Sequence, residues 1–359
     1  MPKSLEQKSV NLDETRLKSL DPGDMLGKTL GLPEQLERGL EIGTKFFRKH
    51  PHPRFERVDW VGLGGSAVAG DLLQGCGFEP PEILPEIRVL RYPGRIRHRR
   101  ILCSYSGNTV ETLSAFDEAA TDDIWFCMAS GGKLKRLANE TCIPFLELPQ
   151  GYPPRAAVGF SLGAMIAIWS LMNKLEADPR FAIPFKELQA DAKTYRILNP
   201  VENPALAEAV RLVNRTPVIY AVDGRTMPSI ALRFRAQLAE NSKIWSHGAE
   251  FPELAHNEVE SLEFLTQLDP MPRVIFLGSW MFEGKFGDPR IGIENILAKT
   301  GASSVRLDPN EMWGQQSSRL ATSLRMMLYL DTVTIYLSFL RAIDPMEIPM
   351  ITKLKEMIG

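Results

Sequence analysis

The sequence predicts an α/β protein with two domains, each of which has a parallel β-sheet flanked by helices. Its 359 residues suffice for about two domains of ordinary size. The composition, with 44% hydrophobic and 24% charged residues, is that of a globular chain. In both halves, short apolar runs alternate with longer helical patterns. Strands separated by helices of about 10–15 residues are typical of parallel sheets covered on both faces.

The first half supplies five strand candidates. In chain order they are residues 58–63, 87–92, 101–106, 124–129 and 144–148. Turns rich in glycine follow the first, third and fourth of them, and each turn opens a helical pattern. A long apolar helix is predicted over Ala156 to Leu175, and a further helix precedes the prolines of Asn199–Pro204.

The second half repeats this alternation. The strand candidates are residues 217–224, 274–279 and 304–307, and the helix candidates are 228–241, 290–299, 314–340 and 348–358. Pro228 suits the first turn of a helix, because the N–H that it lacks has no partner there. Since the prolines near residue 200 interrupt the pattern, we divide the chain into an N-terminal extension (1–30), a first domain (31–200) and a second domain (201–359) with C-terminal helices.

Charge and composition exclude several classes of protein. The 42 Lys and Arg residues are balanced by 44 Asp and Glu residues, whereas nucleic-acid-binding proteins normally have a basic excess. The longest apolar stretch, residues 158–172, is shorter than the roughly 20 residues that cross a bilayer. The start of the chain lacks an apolar signal core, and the cysteines and histidines lack zinc-ligand spacing. We therefore expect a cytoplasmic protein without a nucleic-acid, membrane or metal partner.

A glycine-rich turn follows the first strand. The segment 62–67 reads GLGGSA, and its glycines let a ligand approach the backbone near unpaired N–H groups of a helix start. It partly matches a dinucleotide-binding fingerprint. The second strand, however, ends in Arg91 and Tyr92 rather than in the acidic residue that would hold a ribose. The sequence therefore disfavours NAD as a cofactor.

A second turn is rich in hydroxyl groups. Ser104, Ser106, Thr109 and Thr112 cluster where the strand candidate 101–106 meets a helix start. Hydroxyls and backbone N–H groups at the positive end of a helix form a phosphate site. Simple N-capping is the alternative, but a cap needs only one such residue. The lysine of a P-loop is absent, which disfavours nucleotide triphosphate hydrolysis.

Three further side chains could support chemistry. Arg155 follows two prolines at the start of an apolar helix, where a guanidinium can hold a phosphate or stabilise an oxyanion. Glu240 and His256 in the second half can supply acid and base chemistry. Taken alone, a residue of each of these three kinds is more often a solvated surface group.

Together, these segments resemble one family. The chain contains GLGGSAVAGD, SYSGNTVET, YPPRAAVGFS, AENSK and PELAHNE in the order seen in the bifunctional phosphoglucose/phosphomannose isomerases. These enzymes belong to the sugar isomerase (SIS) domain superfamily. The resemblance extends from about residue 30 to the C-terminus, and the combination of PPRAAxG with ELxHNE is more specific than SYSGNT alone.

The resemblance implies a fold and an activity. It implies two SIS-type domains of flavodoxin-like, three-layer architecture, and a homodimer with its active sites at the interface. It also implies isomerisation of glucose 6-phosphate and mannose 6-phosphate to and from fructose 6-phosphate through a cis-enediol, without a metal ion or other cofactor. In the first domain, the implied phosphate-binding residues are Ser104, Ser106 and Thr109, with Gly65 and Ser66 nearby.

The same resemblance assigns catalytic roles. Arg155 matches the arginine that steadies the enediolate, and Glu240 matches the base that moves a proton between C1 and C2. His256 matches the histidine that opens the sugar ring, which the family places across from the partner subunit. A lysine of the C-terminal helix also assists, and Lys355 or its neighbour Lys353 fits that role.

Two other functions stay open at this point. A non-catalytic SIS sensor of sugar phosphates would usually have a basic helix-turn-helix segment, which this sequence lacks, and would not need Glu240, His256 and Arg155 together. The second alternative is another SIS sugar-phosphate isomerase, such as the isomerase half of glucosamine-6-phosphate synthase. That enzyme receives ammonia from an N-terminal cysteine nucleophile domain, which we do not find in this sequence.

Overall fold

The strands form two parallel sheets flanked by helices, as the sequence predicts. A computed structural model describes residues 12–52, 57–76, 86–90, 99–176, 178–280, 287–315 and 318–358. Within these ranges, no helix has the length and apolar character that a membrane span requires.

The first sheet has five strands in the order β2-β1-β3-β4-β5. They are β1 (Arg57–Val61), β2 (Glu86–Leu90), β3 (Arg99–Cys103), β4 (Ile124–Ala129) and β5 (Phe145–Glu147). Every neighbouring pair is parallel. Because β2 and β3 lie on opposite sides of β1, the connections diverge there and leave a crevice at the carboxyl ends of β1 and β3. Arg91 and Tyr92, which the sequence places at the end of the second strand, lie outside the described residues.

The second sheet has four parallel strands in the order β7-β6-β8-β9. They are β6 (Thr216–Ala221), β7 (His247–Glu250), β8 (Pro272–Leu277) and β9 (Ser303–Leu307). The sequence pattern predicts three of them but not β7, whose residues HGAE contain no apolar run. This edge strand forms because it pairs with the apolar strand β6, for example Val218 with His247.

Helices cover both faces of the sheets. In chain order they are α1 (Glu14–Leu20), α2 (Met25–Leu30), α3 (Leu32–Lys49), α4 (Gly65–Cys76), α5 (Val110–Asp117), α6 (Gly132–Glu140), α7 (Val158–Asn173), α8 (Phe185–Thr194), α9 (Pro204–Leu212), α10 (Met227–Ser242), α11 (Pro289–Thr300), α12 (Pro309–Trp313), α13 (Arg319–Leu340) and α14 (Pro349–Ile358). The predicted helix 314–340 begins later, at Arg319, because the Ser318 hydroxyl caps it by accepting a hydrogen bond from the Ala321 N–H at 3.1 Å.

One hydrophobic core extends through both halves of the chain. A single cluster of buried side chains includes Leu36 of α3, Ile168 of α7, Ile275 of β8 and Leu328 of α13. Helix α13 is buried along nearly its whole length and packs against helices of both halves. It therefore holds the two sheets in a defined relation, on which the site described next depends.

Candidate active site

Three turns of the first half converge at the crevice between β1 and β3. The Ser66 hydroxyl of the glycine turn accepts a hydrogen bond from the Tyr105 N–H at 3.3 Å. The Tyr105 hydroxyl donates to the Pro149 carbonyl, 2.7 Å away, in the segment that leads to Arg155. A Cβ atom at Gly65 would lie only 3.0 Å from the Pro154 carbonyl oxygen, so a larger residue would crowd this close approach. The three turns that the sequence analysis selects are therefore direct neighbours.

The hydroxyl-rich turn is organised around Ser104 and Thr109. Their hydroxyl oxygens are 2.8 Å apart, and Ser104 is buried. Thr109 immediately precedes α5, yet its side chain makes no capping hydrogen bond to that helix. N-capping therefore does not explain the Thr109 hydroxyl. Ser106 is exposed at the tip of the turn, where its hydroxyl accepts from the Asn108 N–H at 3.2 Å.

Close packing holds this turn rigid. Gly107 has a φ of +67°, and a Cβ atom there would lie 1.9 Å from the Gly131 carbonyl oxygen, so another residue would displace the backbone. The Gly107 N–H donates to the Ser104 hydroxyl at 3.1 Å, and its carbonyl accepts from the Leu134 N–H at 2.9 Å. The turn backbone and the Ser104 hydroxyl are thus held in place by the protein itself.

Arg155 connects the two halves of the chain. It lies in the 3-10 turn Pro154–Ala156 and is buried, with 6% of its surface exposed. Its Nε donates to the Asn241 Oδ1 at 2.8 Å, and its Nη1 lies 3.5 Å from the Glu240 Oε2. Its Nη2 donates to the carbonyls of Pro345 and Met346 at 2.6 and 3.0 Å. The guanidinium is therefore held at all three nitrogens.

Glu240 lies in the last turn of α10, beside this guanidinium. Its side chain is 28% exposed and borders a small cleft of about 60 Å³, which Gly64, Gly65 and Arg155 also line. Burial lowers the pKa of the Arg155 guanidinium from its usual value, and the nearby carboxylates of Glu240 and Asp344 act in the opposite direction. The site thus combines a half-buried carboxylate with a fixed cation beside the glycine turn.

Lys243 is a residue of this region to which sequence reasoning assigned no role, although it ends the AENSK motif. It has a left-handed backbone, with a φ of +54°, at the C-terminus of α10. Its ammonium group donates to the carbonyls of Glu240 and Glu347, both at 2.5 Å. Lys243 therefore links the segment around Glu347, which precedes α14, to the C-terminus of α10 through hydrogen bonds.

His256 and the two C-terminal lysines are not joined to this site by the polar contacts of the described residues. His256 is exposed at the end of the 3-10 turn Glu253–His256, and Lys353 and Lys355 are exposed on α14. Among the described residues, no hydrogen bond or ion pair joins any of the three to Arg155 or Glu240. In that same part of the chain, no group of three His, Cys, Asp or Glu side chains is arranged to hold a metal ion.

Comparisons with known proteins agree with the motifs. Residues 201–358 match the family described as the bacterial phospho-glucose isomerase C-terminal SIS domain. The bifunctional phosphoglucose/phosphomannose isomerase of Caldicellulosiruptor bescii is 31% identical over 341 residues, which cover 93% of this chain and 99% of that protein. Its namesake in Aquifex aeolicus is 30% identical over 310 residues, which cover 84% and 90% of the two chains.

The fold itself has a solved counterpart. The crystal structure of a hypothetical protein from Thermus thermophilus superposes with a TM-score of 0.71 over 96% of this chain and 94% of that one. At 16% identity, this likeness concerns the fold alone. The sequence matches go further, since they reach 30–31% identity over 84–93% of this chain. The chain therefore belongs to the bifunctional phosphoglucose/phosphomannose isomerase family.

Proposed function

We propose that this isomerase interconverts glucose 6-phosphate and mannose 6-phosphate with fructose 6-phosphate through a cis-enediol, without a metal ion. The contact between the Arg155 guanidinium and the Glu240 carboxylate carries this proposal. It pairs a base with a cation beside a turn that is rich in hydroxyl groups. The relatives in Caldicellulosiruptor bescii and Aquifex aeolicus, which have this activity in their names, support the choice of substrates.

The phosphate binds at the hydroxyl-rich turn in this proposal. Ser104, Ser106 and Thr109 surround it, and the glycine turn with Gly65 and Ser66 lies against it. Ser106 and whichever of the paired Ser104 and Thr109 hydroxyls has a free proton donate hydrogen bonds to its oxygens. The N-terminus of α5 adds the positive end of a helix dipole, which favours an anion. Since the turn is already rigid, binding requires little ordering of the protein.

Glu240 and Arg155 then act on the carbon atoms. With the sugar open, the Glu240 carboxylate takes the proton from C2 of an aldose and returns it to C1, while the hydroxyl proton moves from O2 to O1, which gives the ketose. The intermediate is an enediolate, and its negative oxygen is stabilised by the charge of Arg155. Glucose and mannose 6-phosphates differ only at C2 and share this enediol. One base serves both when the intermediate rotates slightly and presents either face.

We also propose that the active unit is a homodimer whose subunits complete each other's sites. His256 opens the sugar ring from the partner subunit, and a lysine of α14, Lys355 or Lys353, assists. Helix α14 supports this proposal, because Met350, Leu354 and Met357 expose a large apolar surface on one side of it. Such a surface on a water-exposed helix is typical of an interface.

A coupled assay of EDTA-treated protein tests the function. We expect fructose 6-phosphate to form from glucose 6-phosphate and, separately, from mannose 6-phosphate. Formation from glucose 6-phosphate alone would reduce the proposal to a single-substrate isomerase. Binding of both sugars without turnover would favour the sensor, and activity that only an added metal ion restores would contradict the metal-free mechanism.

Ser106→Ala tests the phosphate site. The hydroxyl donates one charge-assisted hydrogen bond to the phosphate, so its loss weakens substrate binding by roughly 1.5–3 kcal/mol. This corresponds to an increase of about 10- to 150-fold in the dissociation constant of fructose 6-phosphate, measured by calorimetry. Ser114→Ala is the control, since that hydroxyl on α5 contacts Glu118, the residue that ends the helix, and its loss should leave the affinity unchanged. Equal affinities of the two variants would place the phosphate elsewhere.

A further inference from the structure

The backbone of Arg155 is held by side chains from the other half of the chain. The Arg155 carbonyl accepts a hydrogen bond from the Arg233 Nη2 at 2.7 Å and a longer one from the Gln237 Nε2 at 3.4 Å. Both donors lie on α10, one and two turns before Glu240. The same helix therefore presents Glu240 and fixes the position of the arginine that faces it.

Arg233 is itself locked by Asp331 of α13. Its Nε lies 3.1 Å from both carboxylate oxygens, and its Nη2 donates to the Asp331 Oδ2 at 2.6 Å. Side-chain exposure is only 4% for Arg233 and 9% for Asp331, so water does not compete for these bonds. In this bidentate geometry, the guanidinium has a single orientation in which the second N–H of Nη2 points at the Arg155 carbonyl.

A second route connects α13 to the side chain of Arg155. Asn241 accepts from the Arg155 Nε at 2.8 Å and donates to the Thr334 Oγ1 at 2.9 Å. Thr334 lies one turn after Asp331 on α13. This helix therefore holds both the backbone and the guanidinium of Arg155, each through one intermediate residue of α10.

We propose that the buried Arg233–Asp331 pair is a positioning device that fixes Arg155 opposite Glu240 for catalysis. The inference rests on the proposed isomerase function and adds to it two residues that touch no substrate. A buried ion pair by itself is weak evidence for a contribution to stability, because desolvation offsets the attraction. The bond to the Arg155 carbonyl supplies a functional reason to have the pair at this place. A shift of about 1 Å in a catalytic group is enough to lower a rate roughly 100-fold.

The test removes the pair as a unit. Arg233→Met combined with Asp331→Leu replaces both charges with apolar groups of similar size and leaves no unpaired buried charge, so the fold is retained. We expect kcat to fall roughly 10- to 100-fold, because the Arg155 carbonyl loses the shorter of its two hydrogen bonds. We expect KM for the sugar phosphates to change little, because the hydroxyl-rich turn is untouched.

The matched control is a second buried pair, Arg273–Glu208. It joins β8 to α9 through two hydrogen bonds of 2.6 and 2.9 Å and contacts no proposed site residue in the described part of the chain. Arg273→Met combined with Glu208→Leu should leave kcat unchanged. An equal loss of kcat in both double variants, or no loss in either, would overturn the positioning role.

A spectroscopic readout separates this inference from the proposed function. The ¹H–¹⁵N signal of the Arg155 Nε, assigned by comparison with Arg155→Lys, reports the environment of the guanidinium without any substrate. It should shift in the Arg233–Asp331 double variant and stay in place in the control. If the wild-type protein does not isomerise sugar phosphates but this signal shifts in the Arg233–Asp331 double variant, the positioning contact is supported and the proposed isomerase function is contradicted. An unshifted signal contradicts the positioning role whatever the activity.

Discussion

Glu240→Gln is expected to lower kcat by roughly 10²- to 10⁴-fold, the usual contribution of a general base. The amide keeps the size of the carboxylate but cannot take a proton from carbon. Arg155 remains in place, since Asn241 and the carbonyls of Pro345 and Met346 still hold it. We therefore expect the affinity for fructose 6-phosphate to stay within a few-fold of the wild-type value, because the phosphate site is intact.

Isotope exchange makes this prediction specific for the enediol. In D₂O the wild-type enzyme should incorporate deuterium at C2 of the aldose phosphate, whereas Glu240→Gln should not. Glu187→Gln is a suitable control, because Glu187 is an exposed glutamate of α8 and its substitution should change neither measurement. Near-normal turnover by the Glu240 variant would remove Glu240 as the base, and turnover without exchange in the wild type would contradict a solvent-exchanging enediol.

Mixing two inactive variants is expected to restore activity if the subunits complete each other's sites. His256→Ala should be as inactive as Glu240→Gln, since the ring cannot open efficiently. After both variants are unfolded together and refolded, random pairing makes about half of the dimers mixed, and one site in each of these has both Glu240 and His256. We therefore expect about a quarter of the wild-type activity.

The outcome of this mixing experiment distinguishes the two arrangements of His256. If His256 served the same site as Glu240 of its own chain, every site in a mixed dimer would lack one of the two groups, and no activity would return. Each variant refolded alone is the control for spontaneous recovery. Sedimentation of the wild-type protein as a single chain would contradict the dimer itself.

The strands show which elements of the fold can be predicted from local sequence patterns and which cannot. The apolar run IWFCMA predicts β4 with its observed bounds, because a strand buried on both faces is apolar throughout. The run HGAE gives no such signal, and β7 is a strand only because β6 offers its edge. An edge strand owes its conformation to hydrogen bonds with its neighbour, which periodicity within the segment does not record.

The helices also include one that the local pattern predicts and one that it does not. Helix α7 is predicted from a long apolar segment, although its observed bounds, Val158–Asn173, are shorter than the predicted Ala156 to Leu175. Helix α9 is not predicted, since Pro204 reads as a break in the pattern. In the structure Pro204 is in its first turn, and the Asn203 side chain accepts from the N–H groups of Ala205 and Leu206. Asn203 and Pro204 therefore begin a helix and do not interrupt one. The packing of α9 against α13 stabilises this helix.

The family, the alternation of strands and helices, and the turns that meet at the crevice follow from the amino-acid sequence, because these depend on neighbouring residues and short motifs. What each site residue contacts depends on the three-dimensional packing. Arg155 meets Glu240, 85 residues away in the chain, and its carbonyl meets Arg233, 78 residues away. The lone Asp331 in an apolar helix was a visible signal, but its partner was not. Such contacts arise from how helices cross, and no local pattern of residues encodes the crossing of elements that are distant in sequence.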